Sequence, residues 1–405
     1  MNKGRFIIVV LDSFGIGAMA DVEEVRPQDV GANTCLHLLD YPKEKHWPTL
    51  TKLGLFNALG IEKGSLIKQK NAIFGSSNLK HYGADSYFGH QEIMGTNPKK
   101  PIFTEISFYL DEIESELIRK GYIVERHTQD GLQLLKVNHV ICVCDNMETD
   151  LGQAINVVGA LDDCGFGMIK DVGKIVRNHV PVARVIAFGG SKVSFERILA
   201  NVVTKKNRFI GVDAPGSGVY DENYHVIHLG FGVDVTKQVP YLLAESGVRN
   251  HFYGKVADVI ENPNGTSFPC VDTRTTFNAL LGDMKQLDQG LFFLNIQETD
   301  LAGHAEDADK YIEHLNISDQ KIQEIIDLKN ENDILIVMAD HGNDPTIGHS
   351  RHTRERVPLL IHTKDSERRF VDLGVRTTLA DVGATVAEYF DVKIEFGTSF
   401  LKDIR

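Results

Sequence analysis

Three short apolar runs in this chain each lead to an acid, and histidines follow close behind. Phe6–Leu11 stops at Asp12, Leu291–Ile296 is followed shortly by Asp300, and Ile334–Met338 leads through Ala339 to Asp340 and His341. His304 stands four residues after Asp300, a spacing that puts both on one face of a helical turn. His352 follows in the run Gly348-His349-Ser350-Arg351-His352-Thr353-Arg354-Glu355. Carboxylates mixed with imidazoles suit Zn²⁺ or Mn²⁺ and not Ca²⁺, which prefers oxygen donors alone. Six such side chains are enough for two ions sharing a site, and two ions close together grip both oxygens of an in-line displacement at phosphorus. Each residue alone has an ordinary explanation: an aspartate behind a strand caps a turn, and a single histidine is a surface group. The inference rests on all six occurring together.

The elements that carry these residues follow from the pattern of apolar positions. Phe6–Leu11 is continuous and rich in β-branched residues, as expected for a strand buried on both faces of a parallel sheet. Leu291–Ile296 and Ile334–Met338 read the same way. Between them, Tyr311, Ile312, Leu315, Ile322, Ile325 and Ile326 fall on one face of a helix within 307–332, with a break expected near Asn316 to Ser318. Strand, helix, strand in this order is a parallel crossover, and ligands of such sheets bind beyond the carboxyl ends of the strands. A further helix is expected from Thr378 to about Tyr389, with Thr378 and Asp381 as a capping pair. In the middle of the chain, Asn97-Pro98-Lys99-Lys100-Pro101 reads as a linker. Strand-like runs at His139–Cys144 and Ala183–Phe188 and a glycine-rich 211–218 then define an inserted domain over 100–221, with the core in 1–99 and 222–405.

The chain has 405 residues, 42% hydrophobic and 24% charged, which fits a folded protein of two domains and not a disordered one. A formal charge of −13 without a Lys/Arg run argues against nucleic-acid and membrane partners. An anionic substrate would then need local positive charge, and bound metal is one source. The five cysteines make no CxxC pair, so free thiols in a reducing, cytoplasmic setting are expected. No apolar run reaches membrane-spanning length, and the apolar start is too short for a signal peptide.

The run Gly83-Ala84-Asp85-Ser86-Tyr87-Phe88-Gly89-His90-Gln91-Glu92-Ile93-Met94-Gly95 resembles the nucleophile loop of phosphopentomutases, in the alkaline phosphatase superfamily. It is similar too to the Asn-Ser-x-x-Gly-His loop of cofactor-independent phosphoglycerate mutases. Val10–Ala18, Ala339–Pro345, His352–Glu355 with Val357–Leu359, Leu379–Glu388 and Gly397–Leu401 also resemble phosphopentomutase segments. The resemblance spans both ends of the chain and fades in the middle. It implies an alkaline-phosphatase-like α/β/α core with a mostly parallel sheet and a small inserted α/β cap domain. It implies that Ser86 is the nucleophile, that one metal takes Asp12, Ser86, Asp340 and His341, and that a second takes Asp300, His304 and His352. Two divalent ions are expected, Mn²⁺ first and Zn²⁺ as the alternative.

The chain departs from that pattern in several places. Ser86 stands where threonine is usual, a change that keeps the hydroxyl. Gln91 replaces a usual tryptophan, and Arg351 precedes His352 where aspartate is usual. Phe188 occupies a position where the resemblance leads one to expect an arginine, while Arg208 and Lys255 resemble the family's basic substrate-binding elements. The activity implied is a phosphomutase working through phosphoserine on a pentose phosphate or related small phosphosugar, with the cap excluding water. A phosphomonoesterase on the same site is the alternative. A metal-binding regulatory protein without catalysis is the third reading, disfavoured because all seven positions are intact.

Overall fold

The strand Arg5–Leu11 is buried at every residue. Successive side chains of a strand point to opposite faces, so a strand with no exposed residue must be covered on both. It lies at the centre of an eight-stranded sheet in the computed structural model, which describes residues 3–64, 66–149 and 151–405. In spatial order the strands are Gly265–Phe268, Asn250–Tyr253, Gly290–Ile296, Arg5–Leu11, Ile334–Met338, Val357–His362, Ala72–Ser77 and Phe370–Arg376. Val357–His362 runs against both its neighbours, and the other pairings are parallel. The expected fold class, an α/β core around a mostly parallel sheet, is what the chain forms.

Arg5–Leu11 pairs with Gly290–Ile296 on one side and Ile334–Met338 on the other, both parallel, with Leu11 opposite Ile296 and Val10 opposite Met338. The three strands therefore end together, and the residues after them share one rim. The crossover helix Ala308–Leu328 packs its buried Tyr311, Ile312, Leu315, Ile322 and Ile325 inward, against Thr273–Met284 among others. It is unbroken, contrary to the break expected near Asn316. The polar residues there leave the ladder intact: Ser318 Oγ donates back to His314 O at 2.7 Å, and Asn316 turns outward to accept from His46 N at 2.9 Å.

The helix Ala380–Tyr389 is present, but Thr378 and Asp381 do not form a capping pair. Thr378 Oγ1 accepts from Ala380 N and donates to Glu92 at 2.6 Å, while Asp381 pairs with Arg376 at 2.7 Å and takes Thr398 N at 2.7 Å. Two tertiary partners outcompete the local box. A buried ion pair, Arg5 with Asp333 at 2.5 Å, closes the opposite end of the central strand.

The chain divides into two units, 1–98 with 234–405, and 99–233. The second has its own six-stranded sheet, in the order His225–Gly230, Arg184–Gly190, Ala154–Ala160, Ile141–Asp145, Leu132–Val137 and Val124–Gln129. Only Ala154–Ala160 and Arg184–Gly190 run parallel, joined by the helical segment Leu161–His179. Residues 222–233, assigned to the core from sequence, contribute the strand His225–Gly230 to this second sheet. Its weak apolar pattern, HVIHLG, is why the sequence hid it. The five cysteines are unpaired, and no helix among the described residues is long and apolar enough to cross a membrane.

Candidate metal centre

Asp12, Asp340 and His341 are fully buried at the rim where the three central strands end, and Asp300 is nearly so. Asp300 and His304 lie on one short helix, Glu298–His304, with His304 Nε2 at 3.6 Å from Asp300 Oδ2. His352 comes from the loop before Val357–His362, and its Nε2 is 3.1 Å from Asp300 Oδ1. His341 Nε2 lies 3.2 Å from Asp340 Oδ2 and 3.5 Å from Asp12 Oδ1. The six acid and histidine residues picked out in the sequence are thus brought together.

Ser86 opens the helix Ser86–Ile93, whose first turn is capped by Asp85 accepting from Phe88 N. Its Oγ donates to Asp340 Oδ2 at 2.7 Å. Asp340 Oδ1 accepts from Ser13 N at 3.1 Å, and Ser13 holds a left-handed φ of 69°, a strained conformation for a serine beside Asp12. The helix comes this close because residue 89 is glycine: a Cβ there would meet Asp340 O at 2.8 Å.

Each histidine is oriented by its second nitrogen. His304 Nδ1 bonds to Ser350 O, His352 Nδ1 to Ala84 O and His341 Nδ1 to Gly342 O, at 2.7, 2.8 and 2.9 Å. A carbonyl only accepts, so each Nδ1 carries a proton, and each Nε2 offers a lone pair whenever its ring is neutral, as it must be to hold a metal. Those lone pairs converge. His304 Nε2 and His352 Nε2 face each other at 2.9 Å. Asp12 Oδ1 and His341 Nε2 are buried with no hydrogen-bond partner. Unshared lone pairs aimed at one another in a buried site are the arrangement a cation relieves, so the residues fit a mixed carboxylate–imidazole metal centre.

The charges point the same way. Burial and the neighbouring Asp340 push the Asp12 carboxyl up to about 8, against the pull of Lys255. Asp340 is held well below its ordinary value, since His341 and His90 outweigh its burial. Asp300 is held low against burial by its bonds to His304 and His352. His341 rises to about 9, because Asp340 overcomes the cost of burying its charge. Without added positive charge the three acids do not all ionise freely.

The donor atoms fall into two groups, each within 4.8 Å: Asp300 with His341 and His352, and Asp12 with His90 and Asp340. His341 stands between them, its ring stacked on His352 with centroids 3.9 Å apart. His90 was not singled out from sequence. Both its nitrogens are engaged: Nδ1 donates to Ser86 O at 2.8 Å, and Nε2 accepts from Asn295 Nδ2 at 2.9 Å. Asn295 Nδ2 also donates to Asp12 Oδ2 at 3.0 Å, which fixes which end of the amide is nitrogen. His90 is therefore a brace and not a free donor. The signals were present: His90 falls one helical turn after Ser86, and Asn295 is a lone amide within an apolar strand.

Lys255 follows the strand Asn250–Tyr253 and sits inside this cluster, its Nζ at 2.9 Å from Asp12 Oδ2 and 3.4 Å from Asp300 Oδ2. Burial opposes its charge, but Asp12, Asp300 and Asp340 raise its pKa. Arg208 lies in the second unit, with Nε and Nη2 each 3.0 Å from a carboxylate oxygen of Glu105. Phe188 is 1% exposed on the strand Arg184–Gly190, stacked against Tyr220 and near Tyr224. Tyr220 in turn donates to Glu148 at 2.6 Å. Gln91 is buried and satisfied, donating to Val259 O and accepting from Gln238 Nε2. Arg351 is exposed.

Several solved structures align with nearly the whole chain at low identity. A protein from Pyrococcus horikoshii is 15% identical, with 98% of this chain and 99% of that chain covered and a TM-score of 0.45. Phosphoglycerate mutase from Leishmania mexicana is 14% identical, with 98% of each chain covered and a TM-score of 0.44. Alkaline phosphatase from the Antarctic bacterium TAB5 is 12% identical, with 96% and 99% covered and a TM-score of 0.37. The profile of the metalloenzyme superfamily matches residues 4–394, a span that takes in every residue of the centre described above. The chain belongs to the metalloenzyme superfamily.

Proposed function

We propose that this metalloenzyme is a phosphomutase that carries a phosphoryl group on Ser86 and acts on a pentose phosphate or a related small phosphosugar. The observation that carries this reading is the placement of Ser86 Oγ, at the first turn of a helix and 2.7 Å from Asp340 Oδ2 amid the converging donors. Asp12, Ser86, Asp340 and His341 would hold one divalent ion, and Asp300, His304 and His352 the other, with Mn²⁺ the first expectation and Zn²⁺ the second. When bound, the ions offset charge on the phosphoryl oxygens and on the serine oxygen.

The chain's own groups account for the rest. Ser86 donates its one hydrogen to Asp340, which leaves the oxygen lone pairs free to meet phosphorus. As the Oγ–phosphorus bond forms, the bond from phosphorus to the donor's oxygen breaks. The hydroxyl proton leaves along its bond to Asp340 and ends on the departing alcohol. Phosphoserine at this position would stand at the N-terminal end of the helix Ser86–Ile93, whose dipole favours an anion. Transfer of the phosphoryl group from Ser86 to a free hydroxyl of a sugar monophosphate gives a bisphosphate, and removal of its other phosphate by Ser86 releases the isomeric monophosphate and leaves the serine phosphorylated again. Lys255, inside the cluster, supplies a positive charge for a phosphate. Arg208 could contribute only by exchanging Glu105 for substrate.

Intact-mass analysis after incubation with a sugar bisphosphate and Mn²⁺ tests the reading. One added phosphate on Ser86, absent from Ser86→Ala, is expected, together with isomerisation of ribose 1-phosphate or deoxyribose 1-phosphate. Phosphate on another residue, or an active alanine variant, removes Ser86 from the mechanism. Rapid release of inorganic phosphate without isomerisation assigns a phosphomonoesterase instead.

A further inference from the structure

The seven residues that lead into Ser86, Leu79 to Asp85, are held by side chains from elsewhere in the first unit. Arg354 is 4% exposed and sends its guanidinium to three carbonyls of this stretch: His81 O at 2.9 Å and Gly83 O at 2.5 Å from Nη1, and Leu79 O at 3.2 Å from Nη2. Its remaining edge is forked on Asp21, with Nε and Nη2 each 2.8 Å from a carboxylate oxygen. On the amide side of the same stretch stands Glu92, fully buried on the helix that Ser86 opens. It accepts from Lys80 N at 3.1 Å, from His81 N at 2.9 Å and from His81 Nδ1 at 2.8 Å. Thr378 Oγ1 and Leu379 N fill its other lone pairs at 2.6 and 2.8 Å.

A buried guanidinium thus takes the carbonyls of the stretch and a buried carboxylate takes its amides. His352 Nδ1 adds the carbonyl of Ala84, two residues before Ser86. Hydrogen bonds to charged groups are roughly twice as strong as those between neutral ones. Leaving either charge unpaired in the interior is strongly unfavourable, so the stretch and the two charges hold one another in place. Loops ordinarily sit at the low-stability end of a fold. This one is fixed at both edges immediately before the hydroxyl that must meet phosphorus in line.

We infer that Arg354 and Glu92 are positioning residues: they clamp 79–83 from opposite sides and so set where Ser86 Oγ lies relative to Asp340, without touching the transferred group. This rests on the reading of Ser86 as nucleophile. The test is turnover of p-nitrophenyl phosphate by the Mn²⁺-loaded full chain, with Mn²⁺ stoichiometry and the melting transition measured alongside. Misplacing a reacting group by about 1 Å costs on the order of 100-fold, so Arg354→Gln should lower kcat by about that factor and leave KM within about threefold. A folded Arg354→Gln protein with kcat within about threefold of the unaltered chain overturns the inference. Should Arg354→Gln fail to fold, Asp21→Asn decides. Asp21 is 41% exposed, and losing its charge frees the guanidinium to swing off the stretch. A fall of about 5–20-fold in kcat at unchanged KM is expected, and unaltered kcat overturns the inference. Ser86→Ala in the same assay separates the two ideas. An inactive Ser86→Ala beside a fully active clamp variant refutes the clamp alone. An active Ser86→Ala, or no turnover by the unaltered chain, refutes the nucleophile and the clamp with it.

Discussion

Removing the charge of Asp12 is expected to stabilise the metal-free protein and to abolish what metal adds to it. Asp12 is fully buried beside Asp340, offset by Lys255 Nζ at 2.9 Å and Asn295 Nδ2 at 3.0 Å. Burial first, then Asp340, raises its carboxyl from 3.8 to about 8. A carboxyl raised in the folded state binds its proton more tightly there than in the unfolded chain. Its contribution is therefore most favourable below the unfolded value and is lost as pH rises toward 8. Across that interval the loss is bounded by about 5–6 kcal/mol, at 1.36 kcal/mol for each tenfold step. With Lys255 free to readjust, about 1–3 kcal/mol should separate Asp12→Asn from the unaltered protein at pH 8. Thermal unfolding of both proteins, in chelator and in saturating Mn²⁺ at pH 5 and pH 8, measures this. In chelator at pH 8 the asparagine variant should melt higher, and at pH 5 the gap should narrow as Asp12 takes up its proton. Mn²⁺ should raise the melting temperature of the unaltered protein and leave the variant nearly in place. A variant that melts lower in chelator at pH 8, or that gains as much from Mn²⁺, refutes the reasoning.

Other outcomes rest on the same geometry. Asp340→Asn keeps the shape but removes the charge that accepts from Ser86 and Ser13, so phosphoryl transfer should fall by more than about 100-fold in a steady-state assay. Chelation should remove activity and Mn²⁺ should restore it best among divalent ions; full activity of exhaustively chelated protein would contradict the centre. Asp333→Asn strands the buried Arg5 and should cost about 3–5 kcal/mol, read from the shift of the urea midpoint. Phe188→Arg should not create a phosphate grip. It replaces a ring 1% exposed with a charge, and a loss of about 3–5 kcal/mol in the second unit, followed by hydrogen exchange over 184–190, is expected.

Local pattern made part of the centre legible in the residues alone. Continuous apolar runs announce strands buried on both faces, and a parallel sheet gathers the residues just beyond such strands on one rim. Asp12, Asp300, His304, Asp340 and His341 were legible for that reason. Ser86 was not, because a serine on a loop carries no periodic signal, and only the resemblance singled it out. Tertiary pairing was invisible. Arg208 reads as a free basic residue, yet its fork is filled by Glu105. Phe188 reads as a missing arginine, yet it is a packed ring beneath Tyr220. The expected capping pair at Thr378 failed because Glu92 and Arg376 offered better partners than the helix itself. His225–Gly230 was missed because its two histidines interrupt the apolar run.

The central position of Arg5–Leu11 bears on how this protein is made. Both of its sheet neighbours, Gly290–Ile296 and Ile334–Met338, are drawn from the far end of the chain. On a ribosome adding about 5–20 residues per second, that strand waits on the order of tens of seconds for either partner. The unit 99–233 pairs its six-stranded sheet within itself and is free to form during the wait. Closure of the larger sheet is then a late, long-range event of the kind that slows folding. The rim that gathers Asp12, Asp300 and Asp340 is completed by that same event, so a nascent chain holds no assembled metal centre until its main sheet has closed.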